Sequence, residues 1–332
     1  MSTDNRNSSI SLAAIRNAAG SSVVVFDVSN RTQIEVRGAD RARFLHSFMS
    51  NDIKSLKPGT GCETFVTSLK GKVVAHVYVF CREDSHWLDG APQQQSAILP
   101  HLQKFVLIDD VQLIAHEDDF GELFVSGPLA TQLLQLPETM RIGDSEQREL
   151  HDTAIDIRRV DLFGAPGFLM SIPRSQVDRV KQGMISVGIP EGTSDQFEYL
   201  RIEAGYPLFG QDFTEDYLAQ EVARTRQCVS FNKGCYLGQE TIARLDALGH
   251  TNREIRRIRF ESPIAPASGS PVFDAAGESE VGVLTSAASD SENPDPAQTK
   301  GVGIGTLKRA VCPAGSVVRV KSNGNLIEGQ VL

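Results

Sequence analysis

Apolar and polar positions alternate along the chain in two distinct periods. Residues 23–28 form a short apolar run suited to a buried strand, and residues 33–37 alternate as a second, with Ser29-Asn30-Arg31 as the turn between them. Asp40 then opens a predicted helix whose apolar stripe is Phe44, Leu45, Phe48 and Met49, ending at Asn51-Asp52. Residues 65–69 and 73–80 read as two strands joined through Lys70-Gly71-Lys72. A helical stripe over 96–107 follows, in which Pro100 is tolerable only in the first turn. Further strands are predicted at 111–115, 122–126, 154–160 and 168–171. A short helix from Gly127-Pro128 to Leu136 and a longer one from Ser175 complete this part. The alternation predicts α+β layers, antiparallel sheets with helices packed on one face.

Thr193-Ser194-Asp195-Gln196 has the form of a capping box, with Gly205 and Pro207 ending the helix it starts. Glu203 therefore falls in the last turn, where the helix dipole disfavours a carboxylate. From Arg253 the texture changes to short alternating runs at 255–260, 281–285, 301–306, 317–320 and 326–331, separated by Gly, Pro, Ser and Asp. That pattern predicts a small all-β module, with a boundary near 249–252. Residues 286–299 are expected to be a polar, mobile loop, and residues 1–20 a mobile or weakly helical lead-in.

With 332 residues the chain is long enough for two or three domains. A net charge of -9 argues against a broad nucleic-acid surface, and no apolar run approaches the roughly 18 residues a membrane helix needs. The five cysteines are odd in number and lack metal-ligand spacing, which fits a reducing cytoplasm, and the polar N-terminus has no secretory apolar region. His76 stands without a ligand partner at useful spacing and reads as a structural histidine.

The densest chemistry lies between residues 201 and 253. Glu203, beside an aromatic, suits a two-pronged hydrogen bond from an amidine-like edge; the alternative is an ion pair with Arg201 or Arg224. Cys235 follows Lys233 by two residues and precedes a predicted helix at 238–245. Cation and helix end both favour the thiolate, although a buried, inert cysteine fits the same residues. Cys228 is a candidate resolving partner, and the sequence places no histidine beside Cys235. Gly301-Val302-Gly303-Ile304-Gly305 opens no helix and carries no phosphate-loop signature.

Lys233-Gly234-Cys235-Tyr236-Leu237-Gly238-Gln239-Glu240 resembles the signature of the YgfZ-type folate-binding proteins, relatives of the glycine cleavage T-protein (aminomethyltransferase). Residues 201–212, 26–53, 70–80 and 281–287 are also similar to segments of that superfamily. The resemblance covers the chain from about residue 22. It implies a three-domain ring or cloverleaf, an interwoven α+β pair over 22–250 and a β-barrel over 253–332, with tetrahydrofolate or another reduced folate in the central opening. It further implies Glu203 as pteridine anchor, flanked by Arg201 and Tyr236, with Cys235 as the functional thiol, Lys233 as its activator and no metal. The implied role is support of iron–sulfur cluster assembly or repair through iron–sulfur proteins, with indirect effects on tRNA modification and no direct nucleic-acid or membrane contact.

One departure separates the branches. T-proteins carry an acidic pair where this chain has Ala75-His76, and no carboxylate occurs between Lys70 and Phe80. Aminomethyl transfer then lacks its electrostatic partner for charge developing on the folate nitrogen. An aminomethyltransferase and a binding-only adaptor remain the competing expectations.

Overall fold

The computed structural model describes residues 10–116, 118–150, 153–262, 264–290, 301–322 and 324–332. Two open sheets and a closed six-stranded barrel carry the chain, in the three-lobed α+β arrangement expected from the sequence. In the first sheet the strand order is Glu191–Gly192, Val24–Asp27, Phe120–Ser126, Gly167–Pro173, Thr153–Val160 and Ser145–Leu150. All its pairings are antiparallel except Val25 with Glu191 and Phe26 with Gly192. The second sheet runs Gly61–Thr67, Val73–Cys81, Ser85–Pro92, Arg31–Arg37 and Gln112–Ala115. The barrel closes through Arg253–Phe260, Val302–Lys308, Glu280–Ala288, Pro271–Phe273, Val317–Ser322 and Asn325–Val331.

Several expectations are corrected. Of the lead-in, residues 1–9 lie outside the described residues, and its helical alternative holds for the rest: helix Leu12–Ser21 is capped by Ser11 and, beyond the weak helix expected, buries Leu12, Ile15, Ala18 and Ala19. Pro100 lies in the interior of helix Gln95–Gln103 rather than in its first turn. Strands Ser85–Pro92 and Ser145–Leu150 were not anticipated, and the barrel gains Pro271–Phe273. Residues 286–288 extend a strand instead of opening the loop, and residues 291–299 of that predicted loop lie outside the described residues.

Between the two open sheets a buried charged network is set into an apolar cluster that both sheets share, with Phe26, Phe124 and Leu169 from one and Phe65, Phe80 and Trp87 from the other. Arg31 Nη2 donates to Asp89 Oδ1 at 2.7 Å, and Arg158 Nη1 reaches Asp89 Oδ2 at 3.0 Å and Glu122 Oε1 at 3.1 Å. All four side chains are buried. Burial and the neighbouring Asp89 push Glu122 well above the usual carboxylate range, while the two arginines keep Asp89 ionised against its burial. Charges removed from water in this way need close, mutual pairing to persist. The network fixes how the strands meet and leaves a cavity at one edge of the seam.

Candidate functional site

That cavity, about 860 Å³, lies between residues 26–31, residues 91–93 at the end of strand Ser85–Pro92, Arg174, the first turns of helix Ser194–Ala204 and residues 208–211. Phe26, Phe197 and Phe209 supply flat apolar surface; Asp27 and Glu198 supply carboxylates; Arg174 and Gln93 supply donors. Glu198 comes from helix Ser194–Ala204, whose start is set by the expected capping box: Thr193 N–H donates to Gln196 Oε1 at 2.9 Å, and Gln196 N–H returns to Thr193 Oγ1 at 3.3 Å. Arg201, one turn on, orients Glu198 through Nε to Oε1 at 2.8 Å and Nη2 to Oε2 at 2.6 Å. Burial raises Asp27, but bonds from Ser29 and Lys181 outweigh it and hold the acid below its usual range.

Glu203 occupies a different place. It lines a smaller cleft of about 250 Å³ with Arg16, Tyr199, Arg257 and Arg259. Its carboxylate is gripped by Arg16 of the first helix, through Nε at 3.1 Å and through Nη2. Neither arginine offered by local sequence reaches it. Arg201 is fully buried and binds Glu198, Asp212 and Ser286, stitching the helix to the following loop and the barrel. Arg224 instead clamps Glu63, with Nη2 to Oε2 at 2.6 Å.

The segment holding Cys235 is tied down along its length. Ser230 N–H donates to Ser50 O at 3.0 Å, Leu237 N–H to Ser47 O at 2.9 Å, and Thr67 Oγ1 to Leu237 O at 2.7 Å. Gly238 adopts φ +84°, and a Cβ there would stand 2.3 Å from Ser68 O, so the close approach admits only glycine. The helix that follows begins at Gln239, four positions beyond Cys235. Lys233 turns inward: its Nζ donates to the carbonyls of His46 (2.6 Å), Met49 (2.6 Å) and Asn51 (2.8 Å), satisfying the end of helix Arg41–Phe48. Burial pulls this lysine down to about 8. Tyr236 is buried with its ring 4.7 Å from Lys233 Nζ, and Cys235 is exposed.

Behind this segment sits a buried group that sequence reading did not assemble. His76 Nε2 lies 2.6 Å from Glu63 Oε1 and 3.6 Å from Cys228 Sγ, with its ring stacked on Tyr206 at 5.7 Å. The His76 bond and the Arg224 charge outweigh burial and hold Glu63 down to about 2, while burial pushes the Cys228 thiol up. The ligating atoms of Glu63, His76 and Cys228 lie within 4.8 Å of one another, but Arg224 already takes both oxygens of Glu63. The group is therefore a satisfied hydrogen-bond network, and Cys228 is committed to the core rather than facing Cys235.

The structure thus gathers Lys233, Cys235 and Tyr236 on one loop. It places Arg201 behind Glu198 and Glu203 in its own cleft. Glu198 and Asp27 were missed because they face the cavity through tertiary contacts alone. Residues 8–233 match the family described as the GCVT N-terminal domain. Among curated relatives, a putative chloroplastic transferase of Arabidopsis thaliana is 28% identical over 305 residues, 90% of this chain and 68% of the relative. An aminomethyltransferase of Bacillus pumilus is 23% identical over 96% of this chain and 87% of its own length. The crystal structure of glycine cleavage system aminomethyltransferase T from Bartonella henselae superposes with a TM-score of 0.82 at 21% identity, covering 96% of this chain and 88% of that one.

Proposed function

Because the chain belongs to the family of the GCVT N-terminal domain, we propose that it is a folate-binding protein whose ligand, tetrahydrofolate or another reduced folate, occupies the cavity beside Glu198. The observation that carries this reading is the lining of the cavity, where phenylalanine rings, a carboxylate and an arginine converge; by volume alone the cavity of about 560 Å³ beside Arg82 and Trp87 would qualify as well. About 860 Å³ falls inside the roughly 300–1,000 Å³ range of small-molecule sites, whereas the cleft of Glu203, about 250 Å³, falls below it. Phe26, Phe197 and Phe209 suit the flat rings, Asp27 can accept from an amidine-like pterin edge, and Arg174 suits the glutamate tail. When bound, a reduced folate supplies nitrogen atoms that carry one-carbon units.

Within the family we assign the chain to the YgfZ type, a cytoplasmic protein supporting iron–sulfur cluster assembly or repair through iron–sulfur proteins, with Cys235 as its working thiol. Strand Val73–Cys81 carries no carboxylate, and the nearby acid Glu63 is fully engaged by His76 and Arg224. This arrangement favours holding the folate over transferring an aminomethyl group. The reading divides the chain at about residue 250, into a folate-binding region and the barrel. Replacing the chain in its host by Cys235→Ser tests it: folate binding is retained and iron–sulfur enzyme activity falls, and undiminished activity contradicts it.

The second reading is a tetrahydrofolate-dependent aminomethyltransferase, favoured by the similarity to aminomethyltransferases such as that of Bacillus pumilus. Methylene transfer from an aminomethyl-lipoyl carrier to tetrahydrofolate, at rates above a protein-free control, establishes it.

A further inference from the structure

One barrel strand carries two arginines that meet no acid. Strand Arg253–Phe260 alternates: Ile258 and Phe260 fill the barrel, while Ile255, Arg257 and Arg259 fall on its outer face. Ile255 is buried in the apolar cluster that the barrel shares with the rest of the chain, so this face lies against protein. The strand thus brings Arg257 and Arg259 to the end of helix Ser194–Ala204. The Arg257 stem passes beside Gly205, with Cδ 3.4 Å from where a Cβ would stand. Its Nη1 donates to Glu203 O and so meets the negative end of the helix dipole.

With Arg16, Tyr199 and Glu203, these two arginines line the cleft of about 250 Å³. At about 30 Å³ for each water it has room for roughly eight waters, enough for a small oxyanion and too little for a folate. Three guanidinium groups share one carboxylate there, and arginine keeps its charge at any working pH. Arg16 grips that carboxylate, which leaves two positive charges uncompensated on the lining side chains. Among the described residues no carboxylate forms an ion pair with Arg257 or Arg259. Arg257 commits only Nη1, to a backbone carbonyl. Arg259 reaches Gln330 Oε1 through Nη2 at 3.3 Å, and its Nε is buried without a partner. Asp290, the other acid acting on Tyr199, is buried and does not line the cleft.

We propose that this cleft binds a phosphate group, either inorganic phosphate or the monoester end of a small metabolite. Two uncompensated charges match a dianion, and the planar donor forks of arginine suit its oxygens. Alternate residues of a strand stand about 7 Å apart, so Arg257 and Arg259 can take opposite sides of one tetrahedral group. A phosphate held there ties the barrel to the helix that carries Glu198 and, through the pair of Glu203 with Arg16, to the first helix. The site is separate from the larger cavity and does not depend on the folate reading.

The test is calorimetric titration of the full-length chain with inorganic phosphate, and then with glycerol phosphate, at pH 8 and an ionic strength held constant with chloride. Saturable binding of at least one is expected, and acetate, with a single charge, should bind at least about tenfold more weakly. Arg259→Gln should weaken phosphate binding at least about tenfold, whereas Arg309→Gln, an exposed arginine outside the cleft, should leave it unchanged. Glu203→Gln has the opposite sign: it removes the competing charge and frees Arg16, so phosphate should bind up to about fivefold more tightly. No saturable heat from either compound, equal binding of acetate, or undiminished binding in a folded Arg259→Gln overturns the proposal. So does an equal loss in Arg309→Gln, or weaker or unchanged binding in Glu203→Gln. If Arg259→Gln does not fold, Glu203→Gln decides by the sign of its effect.

Discussion

Arg16 donates from Nε to Glu203 Oε2 across 3.1 Å, joining the first helix to the end of the helix that carries Glu198. The pair is partly exposed, with side chains 44% and 29% accessible, so water screens it. Glu203→Gln is therefore expected to cost at most about 1 kcal/mol of stability, measured by chemical denaturation. It should also leave folate affinity unchanged, because the acid does not line the larger cavity.

Arg201 behaves differently because it is buried and holds Glu198, Asp212 and Ser286 together. Arg201→Met leaves Asp212 as an uncompensated buried acid, and a loss of about 3–5 kcal/mol is expected. The check is equilibrium unfolding in urea at neutral pH. A change below about 1 kcal/mol would mean that the acid finds another partner.

Lys233 is expected to be structural before it is chemical. Lys233→Met removes the donor for three carbonyls at the end of helix Arg41–Phe48. A loss on the order of 1–3 kcal/mol should follow. Lys233→Arg should not restore the wild-type melting temperature, since a planar guanidinium cannot converge on the same three acceptors.

Acid stability should report Glu63 and His76. The folded carboxyl of Glu63 titrates at about 2, against an ordinary 4.5, so its contribution is complete above 4.5 and is lost as pH falls towards 2. Its size is on the order of 3 kcal/mol. His76 is also depressed in the folded protein by burial, so the unfolded chain takes up that proton first as pH falls below 6.5, in the same direction. Stability should therefore decline continuously from about pH 6.5 downwards. Glu63→Gln should flatten the part below 4.5, as read from denaturation midpoints at successive pH values.

Local chemistry made much of the fold legible. The capping box at Thr193 and Gln196, the left-handed Gly205 that ends the same helix, and the alternating runs of the barrel all follow from short-range rules. Strand Ser85–Pro92 was hidden because its interior carries Asp89, which reads as solvent-facing until Arg31 and Arg158 arrive from elsewhere in the chain. The candidate site divides in the same way. The loop containing Lys233, Cys235 and Tyr236 announces itself by its residues. The ion pair of Glu203 with Arg16 and the approach of Arg257 to Gly205 depend on contacts between distant segments, and no local pattern encodes them.

The central claim is that a reduced folate binds in the cavity beside Glu198. Calorimetric titration of the purified full-length chain with tetrahydrofolate tests it most directly, using Asn30→Trp, an exposed cavity-lining position, to fill the space, and Glu203→Gln as the comparison. The account predicts saturable binding to wild type, unchanged binding to Glu203→Gln, and at least about a tenfold loss in Asn30→Trp, corresponding to about 1.4 kcal/mol. Binding that weakens in Glu203→Gln and survives in Asn30→Trp, or no heat from the wild type, would contradict it.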